Sequence, residues 1–256
     1  MFELTAYLNG LLAVLVMMVL AWLLSLKLNN VSIVDSLWSL AFLLAALVYA
    51  ATLSDTGPRM ALVLGLVAIW ALRLAGYITW RNWGEGEDRR YQAIRANNQP
   101  YFEYKSLYIV FGLQGVLAWV ISVPLLAAMA GSTPLGGLDA LAVMLWLVGF
   151  TFEAGGDWQL QRFKADPQNA GKVMDRGLWR YTRHPNYFGD FCIWWSFYLF
   201  ALAAGGWWAI ISPVLMSLFL LKVSGVALLE KDIGQRRPQY ADYIRRTNAF
   251  FPGPPK

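Results

Sequence analysis

The stretch Arg183-His184-Pro185-Asn186-Tyr187-Phe188-Gly189-Asp190 puts a guanidinium, an imidazole, a carboxamide, a phenol and a carboxylate within eight residues, and it contains the single histidine of the chain. Arginine forks suit phosphate oxygens, and amide groups beside aromatic faces suit a planar base. Such a set suits an anionic, planar ligand of the nucleotide-cofactor kind. His184 precedes a proline, which disfavours helical geometry there and lets Pro185 open the following helix.

Carboxylates also fall within or at the edges of long apolar blocks: Asp35, Glu153, Asp157, Asp190 and Glu230, with Arg73 and Lys222 as the matching cations. Charge in hydrocarbon is expensive and is expected to face protein or a water-filled cavity, paired. Ion pairing between helices is the plain alternative for each, and Lys222 can reach the interface along its own stem. Asp35, in Ser32-Ile33-Val34-Asp35-Ser36-Leu37-Trp38, has no local cation. It is expected to be neutral and to donate to a carbonyl oxygen, or else to bond another helix. Tyr49, Tyr77, Tyr101, Tyr181 and Tyr187 are the phenols that could join it.

Two further groups have suitable chemistry. Asn82, Arg90 and Tyr91, in the mixed-charge run 82–91, have the types needed to hold an adenosine phosphate, although such runs are commonly solvated loops. Gly155-Gly156-Asp157 is a glycine pair followed by a carboxylate. It reads either as close helix packing or as a backbone cleared for a ligand.

The elements that must position these residues are membrane helices. The chain has 256 residues, 58% hydrophobic and only 14% charged, with mean hydropathy +0.44. A soluble domain is about 25% charged. Seven blocks are long enough to cross a bilayer: about 4–26, 33–53, 60–80, 106–130, 137–160, 187–204 and 206–229. The first has no basic lead-in and reads as a retained helix rather than a signal peptide. Connections 54–59, 131–136 and 203–206 are short and nearly free of positive charge. Loops 27–32, 81–105 and 161–186 and the tail 230–256 hold nearly all of the 21 lysines and arginines. The positive-inside rule makes that side cytoplasmic and the amino terminus external. The expected architecture is all-α, one seven-helix domain over 1–256. Its ligand-binding loops are 81–105, 161–186 and 230–256, and no internal repeat is visible.

Composition also excludes. One cysteine, Cys192, allows no internal disulfide or cysteine-rich metal site. No His-Glu-x-x-His or histidine cluster points to a catalytic metal, no Gly-x-Ser-x-Gly elbow accompanies His184, and no Gly-x-Gly-x-x-Gly follows a strand. The +5 charge lines membrane edges, which speaks for topology and against nucleic acid.

Residues 177–190, the tail pieces Tyr240-Ala241-Asp242-Tyr243 and Phe250-Phe251-Pro252, and the Ser32–Trp38 stretch resemble the steroid 5-alpha-reductase family, most closely its bacterial branch. The resemblance implies a seven-helix, monomeric inner-membrane enzyme. It would reduce the delta-4 double bond of 3-oxo steroids or similar lipid enones with NADPH. It maps the family's motif asparagine and acid to Asn186 and Asp190, its cofactor aspartate to Asp157, and its phosphate contacts to Lys164 and Lys172. The pair after the third helix maps to Asn82 and Arg90, and the catalytic carboxylate to Asp35. The carbonyl-polarising tyrosine falls near Trp70 or Tyr77, which selects Tyr77. Arg183, His184, Tyr187 and Tyr91 complete the expected cofactor set. Two other classes compete. Isoprenylcysteine carboxyl methyltransferases, which use S-adenosylmethionine, share the Arg-His-Pro-x-Tyr-x-Gly-acid pattern. A seven-span transporter or receptor could also carry intramembrane charges.

Overall fold

A computed structural model describes residues 2–223, 226, 230 and 239–255. Among them the chain is helical with no strand, and an isolated bridge joins Thr56 to Gly131. Five stretches are long and apolar enough to cross a membrane: α1 (Leu4–Leu28), α2 (Ile33–Thr52), α3 (Pro58–Asn82), Phe102–Met129 and α8 (Gly137–Ala165). Between α3 and the fourth stretch lies the short polar helix α4 (Arg89–Asn97). The fourth stretch is α5 (Phe102–Ser106), a π-turn at Leu107–Gly112, α6 (Leu113–Ile121) and α7 (Val123–Met129), with Pro124 near the start of the last. α9 (Pro185–Ala203) follows, then a shorter apolar segment, Trp207–Val223, that contains α10 (Ile211–Leu218). The helix α11 (Tyr240–Arg246) lies near the chain end.

The chain divides into two compact units, residues 1–135 with 200–209, and 136–199 with 210–256. In the first, α1 packs on α2 and α2 on α3. The Ser39 hydroxyl donates to the Ala71 carbonyl at 2.9 Å, fixing the register of α2 against the antiparallel α3. Tyr7 and Trp119 stack at 4.2 Å, and the Trp119 indole donates to the Tyr7 carbonyl at 2.8 Å. Tyr49, one of the phenols considered for Asp35, is buried and bonded to Ser122 at 2.7 Å. Arg59, 1% exposed, donates to Thr133 Oγ1 and the Pro134 carbonyl, tying the start of α3 to the chain beyond α7.

In the second unit, glycines let α8 and α9 meet backbone to backbone. A Cβ on Gly189 would lie 2.4 Å from the Gly149 carbonyl oxygen and the Glu153 nitrogen, and one on Gly156 would lie 3.0 Å from Pro185. Gly149, Glu153 and Gly156 are spaced four and three apart, so they form one stripe of α8. The close-packing reading of Gly155-Gly156 is therefore the one its surroundings support. The approach also sets Asp157 beside the opening turn of α9.

Candidate functional site

The predicted site residues fall into two clusters. Asp35, Tyr77, Asn82, Arg90 and Tyr91 belong to the first unit, and Asp157, Lys164, Lys172, Arg183, His184, Asn186, Tyr187 and Asp190 to the second.

The first cluster forms where α4 docks on the start of α2. Asp88 caps α4 by accepting from the Arg90 backbone N–H at 2.9 Å, as an aspartate does at this position. The Asp88 N–H donates to Ser32 Oγ at 3.1 Å, and Glu87 Oε1 accepts from the Val31 N–H at 2.9 Å. Arg95 holds Glu87 through both carboxylate oxygens, at 2.8 and 2.9 Å. So anchored, α4 delivers two side chains to one carboxylate: Tyr91 Oη donates to Asp35 Oδ1 at 2.6 Å and Arg90 Nη2 to Asp35 Oδ2 at 2.7 Å.

This corrects the expectation that Asp35 has no cationic partner. The cation comes from a helix that lies 55 residues away in sequence and that reads as part of a polar loop. With a guanidinium on one oxygen and a phenol on the other, Asp35 is an acceptor here, and the donor of the pair is Tyr91. Burial, then the neighbouring Asp35 charge, raise the Tyr91 phenol above its ordinary value, so it keeps its proton at neutral pH. Burial alone works against the Arg90 charge. The bonds and charges of Asp88 and Asp35 outweigh it and raise Arg90 above its usual range. Tyr77, also on this unit, has the Arg81 guanidinium 5.6 Å from its ring centre and the Trp80 ring beside it. Asn82 ends α3 and accepts from Arg81 Nε at 3.0 Å, rather than joining Arg90 and Tyr91.

The second cluster surrounds the motif. Arg183 is 7% exposed. Its Nε and Nη2 reach the two oxygens of Glu230 at 2.7 and 2.9 Å, and its Nη1 donates to the Thr247 carbonyl at 2.6 Å. His184 Nε2 bonds the same Glu230 Oε1 at 3.0 Å, and the imidazole stacks on Tyr187 with 5.7 Å between ring centres. Tyr240 Oη adds a longer bond to that oxygen at 3.4 Å. Burial pushes the Glu230 carboxyl up, but the bonds from His184 and Arg183 and the Arg183 charge prevail and hold it down at about 2. The tail closes over this group. The Arg183 N–H donates to the Asn248 carbonyl at 2.9 Å, Thr182 Oγ1 to the Phe250 carbonyl at 2.8 Å, and the Tyr243 hydroxyl to the Trp179 carbonyl. Phe250 and Phe251 pack edge-on against Phe188 and Phe191.

Beside this clasp, Asn186 Nδ2 donates to Asp157 Oδ1 at 3.3 Å, and its Oδ1 accepts from the Tyr187 N–H at 3.1 Å. Asp157 is 5% exposed. The structure thus brings Asp157 and Asn186 together, with Gly156 held by the Trp179 indole at 3.0 Å. Asp190 is half-buried one turn further along α9, and Lys164 and Lys172 are exposed at and beyond the end of α8.

From sequence alone Glu230 stands among the carboxylates at span ends, with no site role. Glu87 and Asp88 sit unmarked within the mixed-charge run 82–91. Asp88 carried a readable signal, an aspartate just before a basic helical run. Glu230 carried none, because its partners lie 46 and 47 residues away.

A model of the family described as a protein of unknown function, DUF1295, matches residues 21–247. The chain belongs to this family. It is also similar to an uncharacterized protein of the fission yeast Schizosaccharomyces pombe, 28% identical over 264 residues that cover 90% of this chain and 75% of the relative. No solved structure matches with significance.

Proposed function

We propose that the chain is a membrane reductase that uses NADPH to saturate the delta-4 double bond of 3-oxo steroids or similar lipid enones. The observation that carries this reading is the 2.6 Å bond from the Tyr91 phenol to Asp35, with Arg90 on the other oxygen. Reduction of an enone builds negative charge on its carbonyl oxygen, so a held donor aimed at that oxygen accelerates the step. Tyr91 keeps its proton and Asp35 orients it. A ketone oxygen that takes the place of Asp35 at Tyr91 Oη receives that hydrogen bond as negative charge builds on it, while Arg90 keeps Asp35 paired. Tyr91 rather than Tyr77 is the polarising phenol in this reading.

The second unit has groups suited to the cofactor. Buried Asp157 and Asn186 offer an acceptor and an amide for a ribose or carboxamide, and exposed Lys164 and Lys172 offer cations for phosphates, including a 2′-phosphate. Arg183 and His184 are engaged by Glu230, so they act as the frame of this region rather than as ligands. Bound NADPH would supply the hydride. In the membrane, α9 and the apolar stretch after Gly206 serve as sixth and seventh spans, with the basic loops on the cytoplasmic side of a bacterial inner membrane.

The test is a thermal melt of the purified protein with each cofactor. NADPH is expected to raise the midpoint progressively with concentration, while S-adenosylmethionine leaves it unchanged. A shift with S-adenosylmethionine alone would assign the chain to methyl transfer. A shift with neither would remove the reductase reading.

A further inference from the structure

Tyr91 and Asp35 meet although they come from α4 and α2, 56 residues apart. The start of each helix must therefore be fixed. The sequence of α2 does not do this by itself, because Ser32, at the cap position, makes no side-chain bond to the helix. The acceptor comes from Glu87. Its Oε1 takes the Val31 N–H at 2.9 Å, just ahead of the first turn of α2, which carries Asp35. A carboxylate there also lies at the positive end of the helix dipole. Val31 is 3% exposed, so its N–H has much to lose without an acceptor.

The same carboxylate fixes α4. Arg95, in the last turn of α4, grips both oxygens of Glu87 at 2.8 and 2.9 Å, and Gln92 Nε2 donates to the Glu87 carbonyl at 2.6 Å. Arg95 is held in turn, with its guanidinium 4.6 Å from the centre of the buried Phe102 ring and 3.6 Å from the Glu103 carboxylate. The Trp22 indole of α1 donates to the Glu103 carbonyl at 2.8 Å. Glu87 is thus joined to the start of α2, to the end of α4 and, through Arg95, to α5. None of these bonds is to Asp35 or Tyr91. Asp88 differs, since it bonds Arg90, which bonds Asp35, and so belongs to the site itself.

We propose that Glu87 is a positioning residue, which holds the start of α2 and the length of α4 in one register so that the Tyr91 phenol meets Asp35. Its chemical purpose rests on the reductase reading, but the geometry is measurable without turnover.

In the full-length protein Tyr91 is replaced by 3-fluorotyrosine, and the ionisation of that phenol is followed by fluorine NMR in detergent. Burial and then Asp35 raise the Tyr91 phenol, Asp88 adds to the rise and Arg90 opposes it. The wild-type phenol is therefore expected to keep its proton at a pH where free 3-fluorotyrosine has lost it. In Glu87→Ala the midpoint is expected to fall toward that of the free amino acid. Glu87→Gln loses the same charge but keeps an acceptor for the Val31 N–H, so its midpoint is expected to stay near wild type. With Tyr91 intact, kcat for enone reduction should fall in Glu87→Ala by up to about 100-fold, the cost of an ångström's misplacement, with KM little changed and Glu87→Gln the milder variant. Arg95→Gln, expected to lower the midpoint in the same direction, serves if Glu87→Ala does not fold; elution and melting as wild type establish folding. A wild-type midpoint in the folded variant would overturn the proposal. So would equal falls in Glu87→Ala and Glu87→Gln, since the lost charge and not the lost position would then be the cause. Midpoints that move as expected in a protein that reduces no enone would remove the reductase reading and leave Glu87 as the residue that positions Tyr91.

Discussion

The Asp35 and Glu230 clusters are built from the same parts, a carboxylate held by an arginine with a tyrosine on one of its oxygens, yet they are in different condition. Arg183 has only 8% of its side chain exposed, and its guanidinium is engaged by Glu230 and the Thr247 carbonyl. Arg90 is 45% exposed and divides itself between Asp35 and Asp88. The Glu230 group closes on itself and holds the tail. In the Asp35 group the arginine alone is more open: Asp35 and Glu230 are each 19% exposed, and Tyr91 and Tyr240 are both buried at 6%. Similar composition therefore goes with a fully engaged, buried arginine in one place and a half-exposed, shared arginine in the other.

Four measurements would break or sharpen this contrast. The largest effect is expected from Glu230→Ala, which leaves the buried Arg183 charge without its partner and should cost about 3–5 kcal/mol of stability. A chemical-denaturation midpoint in detergent reads it, and a wild-type midpoint would mean the clasp is idle. Next, Tyr91→Phe should lower enone reduction on the order of 100-fold, with a change in the melt smaller than that of Glu230→Ala. A rate within twofold of wild type would take Tyr91 out of the chemistry. Third is acid. Glu230 titrates at about 2 in the folded chain against an ordinary 4.5. The stability it contributes is complete above about pH 4.5 and is lost as pH falls toward 2. A Glu230→Gln protein should show a flatter melt-against-pH curve across that window, and parallel curves would contradict the assignment. The smallest effect belongs to Arg90→Ala, about 1 kcal/mol or less for an exposed pair. A loss as large as that of Glu230→Ala would show that the two clusters do not differ as described.

Much of the helical framework was legible in the sequence. The first three apolar blocks and the fifth coincide with helices to within a few residues at most ends, because apolar runs that long have few alternatives. The fourth block was legible as a span but not as the broken helix it is. Its π-turn at Leu107–Gly112 leaves no mark in hydropathy. Asp157 and Asn186 come together in the sequence only through the family resemblance and their shared place at span ends, and the structure joins them by a side-chain bond. The partner of Asp35 was not legible. Charged residues in 81–105 carry little apolar periodicity, and α4 exists because Asp88 caps it and Asp35 and Ser32 receive it. Tertiary bonds of that kind are invisible to local pattern. The same holds for Glu230, whose neighbours come from the motif and the tail. Residues 231–238, part of the expected ligand-binding tail 230–256, lie outside the described residues.

The hold of Arg183 on the Thr247 carbonyl has a practical corollary for topology mapping. Reporter fusions that replace the chain from about residue 245 onward would remove an acceptor from a buried guanidinium and shift the start of α9, so they would report on a disturbed protein. A reporter appended after Pro255 leaves those bonds whole, and it is the fusion whose sidedness can be believed.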